Sequence, residues 1–517
     1  HKPTISWVFL ALFLLPGVLH LIFQTSTNPW GVYRLSIYII AVFVIFRMFQ
    51  HSAPYMINSI TWVALLGIIG NLYALIAMAQ MFYFLPQDPN SIFAIWNHAI
   101  RFSGPFLQPN FSALFFDIVI VSLLIQGIRT SFQRVWFMLS ILPIATVLAS
   151  NSRSGILLLA TVLLILWMQS IEKKKMFIYS TTTVIFSITL ALYWNSLLQG
   201  NGQEIVLASR LAEGGFSARI SLWYSVFHLF MEQPTLGIGY GNLAAHFAEA
   251  QAYTHQQHPL WTTFSSASYW VHNLVLHFFT EGGIIGGITI LTMLYIIARK
   301  GWSILQQTNA INHPQFSSFM VVSLIVLHGM VSISFFQGFF LSLLSLYLAG
   351  LFPVQNSDTT SLPIKHRSLH ILYMIPAIYA AIIFYQLVST QISMDAVFDD
   401  NPDSPRFIEE VAKAIDNPWT ARPGLEYLLA NMELTHAPAY QWVNMYPYIF
   451  SSWQLSQDPA AFHRLILQAH LADNALSERY WSEFFLQAYP NNSAEKTLRH
   501  HINIGHHQHE ALRMDML

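Results

Sequence analysis

The chain contains no cysteine among its 517 residues. That excludes a structural disulfide, thiol catalysis and a thiolate-held metal, and leaves the compartment open. Charge is also scarce. Asp, Glu, Lys and Arg make up 9% of the residues, against roughly 25% in a soluble globular protein. A net charge of −1 gives no basis for holding a polyanion, so no nucleic-acid partner is expected. Apolar sequence takes the place of charge: 54% of residues are hydrophobic and the mean hydropathy is +0.46.

Apolar runs recur from Trp7 to Tyr385, each near the ~20 residues that cross a ~30 Å hydrocarbon core. The short alternating segments of a β-barrel are missing. The chain therefore reads as an all-α polytopic membrane protein. About eleven spans are expected, near 5–23, 34–50, 58–84, 111–127, 135–150, 154–170, 176–194, 274–298, 316–335, 337–352 and 368–388. The first has no small-residue cleavage site and further spans follow, so it reads as a retained helix and not a removed signal.

Threading these spans separates the basic residues. Lys2, Arg47, Arg129, Arg134, Lys173, Lys174, Lys175, Arg299, Lys300, Lys365 and Arg367 fall on one side. The opposite loops before the last span hold only Arg34, Arg101, Arg153, Arg210 and Arg219. The first side is expected to be cytoplasmic, with the N-terminus inside. Residues 1–388 then form a membrane domain carrying an outer loop at 195–273. Residues 389–517 change character and read as a small soluble helical domain on the outer side, with amphipathic stretches at Arg406–Ile415 and Ala461–Leu486. Asp399-Asp400-Asn401-Pro402-Asp403 reads as a turn or linker, without the spacing of an EF-hand.

The outward arginines run against the positive-inside rule and so draw attention. Arg153 sits in Ser150-Asn151-Ser152-Arg153-Ser154-Gly155, a polar break between two spans. Such an arginine either snorkels to lipid headgroups or clamps phosphate with its planar fork. Arg219 leads an amphipathic segment to Glu232, with Ile220, Trp223, Phe227 and Phe230 at helical spacing. A cation at a helix N-terminus is unfavourable unless an anion is bound there. Pro234 to Asn242 carries a glycine cluster around Tyr240. It allows a tight turn or a close approach of backbone to a ligand, and it lacks the βαβ frame of a dinucleotide site.

His272 closes the outer loop, followed by Asn273 and, five residues on, His277. An imidazole is the side chain most easily set for proton transfer near neutral pH, although an isolated histidine in apolar sequence more often packs. Its outward location, Asn273 and the arginines on the same side favour the base. His277 and Glu281 are four apart and pair as a structural contact. The Arg101–Asn110 stretch, with Gln108, forms an outward loop. Asp117 lies inside a span, and an intramembrane acid is a functional candidate by position. The histidines at 500, 501, 506, 507 and 509 read as a solvated tail and not a metal site.

Taken in order, Gly104…Gln108-Pro109-Asn110, Ser152-Arg153-Ser154-Gly155, Arg219…Trp223, Pro234…Gly241 and His272-Asn273-Leu274…Glu281-Gly282-Gly283 resemble the O-antigen ligase and polymerase superfamily (WaaL, Wzy). The closer resemblance is to its protein-directed branch, the bacterial O-oligosaccharyltransferases of PglL or pilin-glycosylation type, which also carry an extra C-terminal region. Lipid A-core ligases generally lack so long a tail. The resemblance implies an inverting, metal-independent transfer of a glycan from undecaprenyl diphosphate to a periplasmic hydroxyl, in the bacterial inner membrane. By it, His272 deprotonates the acceptor while Arg153 and Arg219 bind the diphosphate. Arg34, Arg101, Gln108, Tyr240 and Asn273 are further substrate-binding candidates.

No cofactor is implied. The expected partners are the lipid-linked glycan donor, a pilin-like periplasmic protein and membrane lipid, with apolar grooves between spans holding the lipid tail. The outer loops contain no Asp-x-Asp pair and no Trp-Trp-Asp motif, which argues against a divalent-metal glycosyltransferase and an N-linked oligosaccharyltransferase. O-antigen ligation to lipid A-core and polymerisation share the donor and differ in the acceptor. A transporter or flippase should instead show broken helices at matching positions in two halves.

Overall fold

The computed structural model describes residues 5–23, 29–50, 52–79, 108–199, 215–261, 263–264, 268–333, 335, 337–353, 446, 449–450, 457, 459–472 and 474–490. They form fifteen α-helices and one short 3-10 turn, with no strand among the described residues. The helices are α1 Ile5–Phe23, α2 Pro29–Phe49, α3 Ala53–Ile57, α4 Ile60–Ala79, α5 Pro109–Arg129, α6 Gln133–Ala149, α7 Arg153–Gln169 and α8 Lys173–Gln199. There follow α9 Gly215–Glu232, α10 Leu243–Gln257, α11 Leu274–Leu305, α12 Phe316–Gly329, α13 Gly338–Leu351, α14 Pro459–Leu471 and α15 Ala475–Ala488. Four stretches are long and apolar enough to cross a membrane: Ile60–Met78, Pro109–Arg129, Lys173–Trp194 and Leu274–Leu305. The other expected spans through 352 appear as shorter apolar helices. The expected spans overlap these helices, with ends that differ by up to seven residues (298 against Leu305), while 80–84, 368–388 and Arg406–Ile415 lie outside the described residues.

The helix α5 is the axis of the bundle. It is apolar on every side, which suits a helix surrounded by others and not one facing solvent, and 94% of its spanning window is buried. Proline at its first position costs no intrahelical hydrogen bond and sets the entry. Around it pack α4, α6, α7 and α12. The outer helices expose large apolar side chains, such as Ile68 and Leu72 on α4 and Phe177 and Phe186 on α8. A surface of this kind is stable against lipid and not against water.

The two ends of α5 are chemically different. At its C-terminal end, Arg129 donates to the Ile311 and His313 carbonyls at 2.8 and 3.0 Å and to Asn58 at 2.6 Å. At its N-terminal end, Asn110 meets the turn before α7. Basic residues that the sequence assigns to opposite faces thus stand at opposite ends of the bundle.

The longest helix, α11, is broken at Gly283, whose φ of 61° and ψ of −159° no side-chain-bearing residue adopts readily. The loop between α9 and α10 fills the break. Ile284 donates to the Pro234 carbonyl at 2.8 Å, Ile238 to Thr280 at 2.9 Å and Gly239 to Glu281 at 3.1 Å. A kink in a helix costs backbone hydrogen bonds unless others replace them, and here the glycine cluster replaces them. Gly241 has φ 73° and lies so close to Gly31 of α2 that a Cβ would come within 2.5 Å of that backbone.

The Glu281 side chain completes the junction. Its carboxylate accepts from Gly241 N at 2.8 Å and Leu243 N at 3.3 Å, and so places an anion at the start of α10. His277 Nε2 lies 3.1 Å from the same carboxylate, both side chains being buried.

Beyond the bundle, the stretch expected as amphipathic over Ala461–Leu486 is two helices. Asn474 caps the second, accepting from Ser477 N at 3.1 Å, because an Asx side chain competes with a continuing helix. This α14–α15 pair does not stand apart. Phe462, Phe485 and Tyr489 share one apolar cluster with Val226, Leu243 and Phe247 of α9 and α10. Polar contacts fix the docking: Gln457 N donates to Ala244 O at 2.9 Å, Ala248 N to Gln457 Oε1 at 3.0 Å and Gln251 Nε2 to Ala488 O at 2.5 Å.

Replacing Gly283 by Ala should therefore destabilise the detergent-solubilised protein by about 3 kcal/mol or more, since backbone strain adds to collision with Thr235. Gly338→Ala, at a helical position with nothing within 4 Å of the added methyl, should be neutral or stabilising by up to ~1 kcal/mol. Thermal unfolding of the two variants checks the contrast.

Candidate functional site

At the N-terminal end of α5 the Ser150–Gly155 turn is built by short-range bonds. Ser152 is the N-cap of α7: its Oγ accepts from Gly155 N at 3.3 Å and donates to Asn110 Oδ1 at 2.8 Å. Ser154 Oγ lies 3.2 Å from Ser152 Oγ and 3.2 Å from His328 Nε2. Gly155 lets α7 approach Ala113 of α5, where a Cβ would come within 2.5 Å of the alanine methyl. These contacts hold the turn and leave Arg153 exposed at the first position of α7.

Arg219 reaches the same place from the loop region. The helix α9 begins at Gly215, so Arg219 lies in its second turn and does not lead it as the sequence suggests. Gly215-Phe216-Ser217-Ala218 carries no strong cap to mark the start. One turn on, Trp223 Nε1 donates to the Val271 carbonyl at 3.1 Å, and Thr280 Oγ1 donates to Val226 O at 3.1 Å. These two bonds lay α9 along the start of α11 and bring Arg219 to His272. Burial and then the Arg153 charge draw the Arg219 guanidinium below its ordinary range, and it remains protonated at neutral pH.

His272 occupies the residue before the N-cap of α11, with φ 55°. Asn273 is that cap, accepting from Leu276 N at 3.0 Å. Burial, and then the Arg219 charge, push the His272 imidazole down to about 4. The ring is therefore neutral at pH 7, the form that accepts a proton. It is half-buried, with no hydrogen bond of its own among the described residues. His328, in the last turn of α12, meets the arginine turn through Ser154.

Two marks set this region apart. Positive φ occurs at three non-glycine residues among those described, Asn151, His272 and Asn309. The first two flank the arginine turn and form the imidazole mouth. Such backbone costs about 1–3 kcal/mol per residue and persists where the surroundings impose it. The second mark is the missing counter-charge. Arg153 and Arg219 have neither hydrogen bond nor ion pair among the described residues, in contrast to Arg129 with its three partners.

The remaining sequence candidates are dispersed. Gln108 caps α5 beside Asn110, with a buried Oε1 that has no partner among the described residues. Tyr240 is fully buried and its hydroxyl donates to Phe13 O at 2.8 Å, so it ties the glycine loop to α1. Asn273 is engaged as a cap. The backbone of Arg34 lies within α2; Arg101, Arg210 and the histidines after 500 lie outside the described residues. Asp117 is buried two turns into α5, its carboxylate without a partner among the described residues. His328 and Asn110 join the site although neither stands out alone. His328 sits in the apolar run Val321–Gly329, where a histidine reads as packing, and only the fold brings it to Ser154.

A sequence model described as O-Antigen ligase matches residues 138–291. No curated protein sequence matches the chain. The matched segment contains Arg153, Arg219 and His272, and it supports the ligase and polymerase superfamily and a glycosyl transfer of that type.

Proposed function

We propose that this protein transfers an oligosaccharide en bloc from undecaprenyl diphosphate to a Ser or Thr hydroxyl of a periplasmic protein of pilin-like kind. The observation that carries the reading is a pair of guanidiniums, with no hydrogen bond or ion pair among the described residues, beside a neutral imidazole. Two neighbouring cations with no described carboxylate call for an anion of at least two charges, and a diphosphate supplies them.

The chemistry then needs few parts. The acceptor oxygen attacks the anomeric carbon as the bond to the diphosphate oxygen breaks, inverting that centre. The hydroxyl proton passes to His272 and later to water. Arg153 and Arg219 stabilise the charge gathering on the departing undecaprenyl diphosphate, which is already a good leaving group. Gln108 and Asn110 border the turn that presents Arg153 and are suited to hold sugar hydroxyls. The docking of α14–α15 on α10 supports a protein acceptor, because it adds surface beside the loop that carries the base.

Purified protein incubated with lipid-linked oligosaccharide should glycosylate a pilin-like protein, while lipid A-core in a parallel reaction stays unmodified. His272→Asn is the informative variant, since asparagine tolerates the left-handed backbone and removes the base. It should lower the rate by about 10²–10⁴-fold with the melting point unchanged. Undiminished transfer by His272→Asn removes the proposed base, and modification of lipid A-core alone reassigns the acceptor.

The pH profile of kcat/KM, which reports the free enzyme, gives a second check. The neutral imidazole is the active form and its pKa is depressed, so the acid limb should lie near pH 4 and the rate stay level from neutrality to about pH 5. In Arg219→Gln the repelling charge is gone, and the limb of the residual activity should move up toward the unperturbed value of about 6.5. An acid limb that stays in place in this variant contradicts the coupling.

A further inference from the structure

A second feature runs along the bundle, with its polar end away from Arg219 and His272. Between α1, α2, α11 and α13 runs a cavity of ≈ 360 Å³. Its walls are apolar, with Phe13, Val42, Phe46, Phe278, Met293 and Leu344 among them. It follows α2 from Leu35 to Gln50, about 22 Å at the helical rise.

Apart from Tyr38, the lining residues with polar side chains are Arg47 and Gln50, together at one end. Gln50 is fixed on both sides: its amide donates to Phe352 O at 3.0 Å, and its oxygen accepts from Arg47 Nη1 at 2.6 Å. The guanidinium is thus aimed while, among the described residues, its charge has no carboxylate and its buried Nε no partner. A buried donor without an acceptor is destabilising, and a phosphate oxygen at the mouth removes that penalty.

We infer that this cavity is a binding site for an anionic phospholipid, one acyl chain lying among α1, α2, α11 and α13 and the phosphate resting on Arg47. The glycan donor's own tail is a poorer occupant. The end nearer Arg219 and His272 is closed by Phe13 against Phe278 at 5.2 Å and Tyr240 against Phe278 at 6.2 Å.

The full chain, reconstituted in nanodiscs of phosphatidylcholine with or without phosphatidylglycerol, tests the site by native mass spectrometry. One phosphatidylglycerol per chain should be retained, at least ~10-fold over phosphatidylcholine. Arg47→Gln should lose that preference. Val42→Trp, which fills the channel and leaves Arg47 intact, should lose the lipid itself. His272→Asn should retain it fully. Equal retention of the two lipids, no retained lipid, a polyprenyl phosphate in its place, or an unaltered preference in Arg47→Gln each overturns the assignment. Should Arg47→Gln fail to fold, the wild-type comparison and Val42→Trp decide.

Discussion

The buried carboxylate of Glu281 is the constraint on which the rest of the outer region depends. Removing a carboxylate from water is costly unless hydrogen bonds replace its hydration, and here two backbone N–H groups do so, with His277 Nε2 3.1 Å away. Those partners belong to different elements, so satisfying one charge fixes the start of α10, the glycine loop and the upper part of α11 together. The break at Gly283 is tolerated because the same loop takes up the freed backbone groups. His272 makes no hydrogen bond of its own among the described residues, and it is located by this frame nine residues further along the chain.

The arginines divide by the same logic. Arg129 is spent on the fold, its guanidinium tying α5 to Asn58 and to the turn before α12. Arg153 and Arg219 are held close to one another by the Ser152–Asn110 bond and the Trp223–Val271 bond, neither of which involves the guanidiniums themselves. A fold selected for stability alone would place an acid between them or separate them. Left-handed backbone at Asn151 and His272 points the same way, since local rules fail where function is bought at the expense of stability.

Much of this was legible in the sequence, and what escaped has a common cause. Helix positions through residue 352 followed from apolar run lengths, because the hydrocarbon thickness sets one length for all of them. The pairing of His277 with Glu281 followed from helical spacing. The glycine cluster was ambiguous, because the backbone freedom that admits a ligand also admits a neighbouring helix, and Tyr240 turned inward to Phe13. The break at Gly283 was hidden among Gly282, Gly286 and Gly287, any of which a helix tolerates at some cost. His328 and Asn110 could not be read at all, because their meaning comes from contacts 174 and 42 residues distant.

A base held down near 4 by burial and a cation is a weak proton acceptor, which at first sight fits poorly with the proposed deprotonation of a hydroxyl. The resolution lies in the source of the depression. Part of it is the Arg219 charge, and on the proposed reading a diphosphate bound across Arg153 and Arg219 neutralises that charge and adds negative potential of its own. Both effects stabilise the imidazolium, so His272 becomes a stronger base only when the donor is in place. Without donor, the neutral ring neither holds a proton nor competes for the anion. The order of binding then follows from electrostatics: the donor arrives first at the exposed Arg153 and the half-buried Arg219, and the acceptor hydroxyl meets an imidazole whose basicity the donor has raised.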